Sequence, residues 1–142
     1  MWADTLFRAE QQHLLRLLLW SGLSIVAATL VAVTMTIRRL RSPLLRQFAL
    51  QMALWGVVLA LIGAIRWRTV EMRDLAAAAR LERLLWMNVG LDVGYVAAGA
   101  ALAATAWVLA RRAGPVGAGV GIIVQGIALL VLDLQFAAVV SR

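Results

Sequence analysis

The chain has 142 residues, 63% of them hydrophobic, and a formal net charge of +7. A soluble domain is nearer half apolar, so the excess calls for burial in lipid, and the length fits one domain. The absence of cysteine excludes disulfides, thiol redox chemistry, cysteine zinc sites and thiolate haem ligation, and a single histidine excludes a bis-histidine haem site within one chain.

In chain order, the opening "MWADTLFRAEQQ" carries two acids against one arginine. That is not the basic start of a signal peptide, and the apolar run behind it is too long for one, so the first segment is expected to stay in the mature protein. About 20 apolar residues at ~1.5 Å each cross the hydrocarbon. Four runs qualify, at about residues 14–37, 43–65, 84–110 and 117–140. Between the first two lies "RRLRSPLLR", where Ser42 offers a helix N-cap and Pro43 the first helical position. The middle connection, "RWRTVEMRDLAAAARLER", is rich in helix formers and is expected to extend the third helix beyond the membrane, after a turn near residues 68–71. Between the last two runs lies "RRAGPVGAG", where Gly114-Pro115 should stop one helix and start the next. The expected fold is therefore all-α: one antiparallel four-helix transmembrane bundle over residues 1–142, with two tandem helical hairpins suggested by weak likeness between the halves.

All 14 basic residues are arginine, which points to a GC-rich bacterial genome. They lie between apolar runs rather than along one face, so they flank membrane spans and no nucleic-acid partner is expected. One side holds both short loops, with six arginines (residues 38, 39, 41, 46, 111 and 112) and no acid. In a bacterial inner membrane the arginine density of those short loops favours that side as cytoplasmic, with both termini outside, whereas a raw count, eight arginines on the other side, favours the reverse.

Polar residues inside the spans are the candidate site. Asp92 enters the third span from the termini side and Asp133 leaves the fourth on that side, so both carboxylates are expected at one depth. A lipid-facing aspartate costs about 2.5–3.5 kcal/mol at a helix centre, so both should face the bundle interior. Gly90 and Gly94 bracket Asp92 and would allow close helix approach, while Asp133 shares a stripe with Gly119 and Gly126. Asn88, Asp92 and Tyr95 form one helical stripe, and His13, Arg16 and Trp20 a comparable one on the first span. Arg16 is the obvious counter-charge and would make the cluster a buried hydrogen-bond knot that fixes helix register. One arginine between two aspartates nevertheless leaves a charge that a bound proton, cation or small polar ligand would balance. A second polar pair, Gln51 and Gln125, lies at matched depths near the arginine-rich side and is expected to hydrogen-bond as helix-packing glue. Trp67, Trp86 and Trp107 read as interfacial anchors, and Trp20 and Trp55 as packing residues. His13 with Glu10 one turn away makes at best a weak metal site, and a solvated helix start is the preferred reading. No catalytic triad, H-E-x-x-H or Walker loop occurs, so neither enzyme activity nor a cofactor is expected.

"NVGLDVGYVAAGAAL" and "VQGIALLVLDLQF" resemble segments of a family of small four-helix bacterial integral membrane proteins of unknown function. Its pattern maps onto Asn88, Leu91, Asp92, Gly94 and Tyr95, and onto Gln125, Gly126, Leu132 and Asp133; Trp55-Gly56 matches a pair in its second span. An asparagine of that pattern is missing, because residues 57–60 are all apolar. The resemblance implies the fold and no established activity. Two functions follow as expectations. The leading one is a structural or accessory subunit that packs with other membrane helices. The alternative is a small oligomeric transporter or ligand-binding module using Asp92 and Asp133 for a proton or cation.

Overall fold

The computed structural model describes residues 2–141, and among them it has four long helices and no strand. They are α1 (Trp2–Ile37), α2 (Pro43–Thr69), α3 (Leu75–Thr105) and α4 (Ala113–Val140). One π-helical turn, Ala106–Ala110, closes α3. All four are long and apolar enough to cross a membrane. Leu19, Leu30, Leu61 and Val108 point outward and exposed, so the outer surface of the bundle is apolar.

The helix ends follow local chemistry. The Ser42 hydroxyl accepts from the Leu45 N–H at 3.3 Å and Pro43 occupies the first helical position, as the sequence predicts. Asp74 caps α3 by accepting from Ala77 N–H at 2.7 Å, so the second connection turns at residues 70–74, slightly later than expected. The third connection differs more. Its stop is Arg111, which takes a left-handed conformation at φ 48°, while Gly114 and Pro115 already lie inside α4. Pro115 needs no amide partner in a first turn, so it fits there. At the far end of α1, Leu40 N–H bonds to Met35 carbonyl and Arg39 N–H to Thr36 carbonyl, with Arg39 at φ 50°. This is a Schellman stop with arginine where glycine is usual.

The helix α4 is central: its backbone approaches those of α1, α2 and α3, whereas the α3 backbone comes close to no other helix backbone and meets α1 and α2 through side chains alone. Glycine makes this possible. A Cβ on Gly99 would lie 2.8 Å from the Gly119 carbonyl oxygen, and one on Gly119 2.6 Å from that of Gly99. A Cβ on Gly126 would meet Val96 Cγ2 at 2.9 Å. Gly90 and Gly94 are expected to mediate such contact, yet a Cβ on either would meet nothing within 4 Å. They face outward, on the side of α3 opposite α4. The first helix also begins at Trp2, well before the expected span, and its early turns pack Leu6 against Leu81, Leu85 and Phe136.

Candidate functional site

Three tiers of polar groups run inward from the termini end. The outermost centres on Glu10, only 3% exposed. Arg73, from the connection between α2 and α3, donates to both its carboxylate oxygens at 2.9 and 2.8 Å, and Arg66 of α2 stands at 3.9 Å. The hydrogen bonds to Glu10 hold the Arg73 guanidinium above its ordinary value. Glu10 is thus a buried anion tying the connection to α1, and the sequence reading of a solvated helix start is corrected. Its run of polar neighbours, Glu10 to His13, disguised it.

One turn deeper, His13 Nε2 lies 3.4 Å from Asp133 Oδ1, and the imidazole stacks on Phe136 with centroids 4.6 Å apart. Asp92 is 5% exposed and Asp133 7%, so both carboxylates face the bundle. Contacts of Gly99, Gly119 and Gly126 set the register of α3 against α4. That register places Asp133 about five residues, or ~7.5 Å of helix rise, nearer the termini end than Asp92. The expectation of equal depth is therefore corrected. Side chains lean toward the N-terminus of their own helix, and because the helices are antiparallel the two carboxylates lean toward each other. They lie within electrostatic reach.

Among the described residues, Asp92 Oδ2 is buried without a hydrogen-bond partner. Arg16, expected as the counter-charge, is exposed instead and donates to Gln135 Oε1 at 2.9 Å. Its position on α1 points it around α4 rather than between α4 and α3. Asn88 lines a cavity of about 20 Å³ with Glu10, His13 and Arg66, room for about one water. Tyr95 is outside the cluster: it meets Trp55 of α2 edge-on, centroids 5.1 Å apart. Among the described residues no three His, Asp or Glu side chains gather to hold a metal ion.

The innermost tier is Gln125, 2% exposed. Its Oε1 accepts from the Trp20 indole N–H at 2.8 Å, and its Nε2 donates to Ser24 Oγ at 3.0 Å and approaches Met52 Sδ at 3.3 Å. The expected partner, Gln51, packs its stem beside Gly121 and does not bond to Gln125. Trp20, read from sequence as a packing residue, is a hydrogen-bond donor. Ser24 lies at i+4 from Trp20, a spacing that could have revealed the pair.

A helical bundle with an apolar exterior and a buried acidic cluster at one end defines the class: a small bundle of four helices, each long and apolar enough to cross a membrane. Residues 16–134 match the model of a family described as "Family of unknown function (DUF6992)", and the chain belongs to that family. No curated protein and no solved structure matches the chain.

Proposed function

We propose that this protein is a multi-pass protein of a bacterial inner membrane whose Asp92–Asp133 pair binds a proton or a monovalent cation. The observation that carries this reading is the Asp92 carboxylate, buried within electrostatic reach of a second carboxylate and with one oxygen unpartnered among the described residues. The purely structural account of the cluster needs a cation next to it, and Arg16, the natural candidate, pairs with Gln135. His13 and Arg66 stand on the Asp133 side. Like charges in apolar surroundings do not both persist uncompensated, and a proton or a small cation supplies the balance. The polar tiers lead inward from the termini end, so access is from that side.

Dicyclohexylcarbodiimide, which couples to protonated carboxyl groups in apolar sites, tests this on the wild-type protein in liposomes. Peptide mapping should find the adduct on Asp92, absent in Asp92→Asn, with labelling that falls in alkaline buffer or on adding sodium or potassium. Absence of any adduct on Asp92 and Asp133 from acidic to alkaline buffer, with no cation effect, would sink the reading.

A second reading, a subunit that packs with other membrane helices or with copies of itself, is favoured by α3. The backbone of that helix comes close only to that of α4, and Gly90 and Gly94 stand bare on its outer side, a small-residue seam that lets another helix come close. Native mass spectrometry after gentle extraction distinguishes the two. A stoichiometric protein partner, lost in a Gly90→Leu/Gly94→Leu variant, supports the subunit; a lone protomer removes it.

A further inference from the structure

We infer that the arginine-rich end of the α1–α2 hairpin is a binding site for one anionic phospholipid. Near mid-bundle the two helices meet tightly, since a Cβ on Gly56 would lie 2.7 Å from Ile25 Cγ1 and 3.0 Å from the Ser21 carbonyl. Toward the arginine end the facing residues are small, among them Ala28, Ala32, Ala49 and Ala53, and a groove of about 850 Å³ opens between the helices. That is the size class of a small-ligand site. The Thr29 and Thr36 hydroxyls in its wall donate back to carbonyls of their own helix, at 2.8 and 2.9 Å, so the wall offers a guest little but hydrocarbon.

The rim is different. Arg39, Arg41 and Arg46 line the mouth, and Arg41 and Arg46 also border an adjoining depression of about 480 Å³ beside Gln47 and Gly114. No acid lies in the sequence between Glu10 and Glu71, or between Asp92 and Asp133, so this end holds six arginines and nothing of opposite charge. An acyl chain in the groove with its phosphate on the rim satisfies both the apolar wall and the charge, and basic pockets between membrane helices bind anionic headgroups in this way. Arg39 occupies a left-handed position, φ 50°, where glycine would sit without strain, and its side chain lines the groove.

The test is native mass spectrometry of the protein carried from nanodiscs of mixed phosphatidylglycerol and phosphatidylcholine, followed by titration with each lipid. Wild type should keep one phosphatidylglycerol. An arginine near a charged membrane surface contributes about fivefold in affinity, so Arg39→Gly should weaken binding about fivefold and Arg39→Gly/Arg46→Gln about 25-fold. Arg39→Gly relaxes its turn, so loss of lipid cannot be charged to misfolding. Ala32→Phe, which fills the groove without touching charge, should also expel the lipid, and Arg80→Gln at the opposite end should not. Equal retention of phosphatidylcholine, equal binding of inorganic phosphate alone, unchanged lipid in Arg39→Gly/Arg46→Gln, or an equal loss in Arg80→Gln would each overturn the inference.

Discussion

Replacing Gly119 with alanine should push α3 and α4 apart. The new methyl would lie 2.6 Å from the Gly99 carbonyl oxygen and 2.8 Å from the Ala103 amide nitrogen. Both obstacles are backbone, so no rotamer change relieves them and a whole helix must shift. Overpacking of this kind costs about 1–3 kcal/mol. Alanine also gains about 0.5–1 kcal/mol over glycine as a helix former, which would mask part of that cost. Gly94→Ala supplies the correction, because it gains the same propensity on the same bundle and its Cβ meets nothing within 4 Å. The difference between the two variants should therefore be about 1–3 kcal/mol, with Gly119→Ala the less stable. Reversible unfolding in mixed micelles, followed by circular dichroism or steric trapping, reads that difference. The pair Gly99→Ala and Gly119→Ala should moreover be less than additive, since each methyl strikes the other residue's carbonyl and one separation relieves both. Equal stabilities for Gly119→Ala and Gly94→Ala would refute the reasoning and with it the register assigned to the two aspartates.

Arg73→Ala should be more damaging than Glu10→Gln, by up to about 3 kcal/mol against about 1. The first strands a carboxylate that is 3% exposed with only Arg66 at 3.9 Å, while the second frees an arginine that is 24% exposed to swing into water; thermal unfolding with the reverse order would reject the pairing. Gln125→Leu should cost about 1–2 kcal/mol, chiefly from the orphaned Trp20 indole N–H. A Trp20→Phe/Gln125→Leu double variant should recover part of that loss, and a double variant as unstable as the sum of the singles would show that the hydrogen bond is not the coupling.

Much of this molecule is legible along the chain. Four apolar runs of membrane length, the Ser42-Pro43 cap and the arginine-only loops depend on neighbours in sequence, and periodicity or a two-residue motif reports them directly. Burial of Asp92 and Asp133 is legible for a similar reason: a carboxylate in an apolar run has few tolerable surroundings. Which partners meet those side chains was decided only in three dimensions. Gly90 and Gly94 form the more conspicuous motif, yet Gly99, Gly119 and Gly126 make the contact. Helical phase tells which residues share a face, whereas packing against α4 selects the face. The same selection turned Arg16 toward Gln135, sent Tyr95 to Trp55, paired Gln125 with Trp20 and buried Glu10 beneath Arg73. Long side chains on a rod of 3.6 residues per turn reach several neighbours. The depth and rotation of the adjacent helix decide among them, and those are properties of the assembled bundle rather than of any one segment.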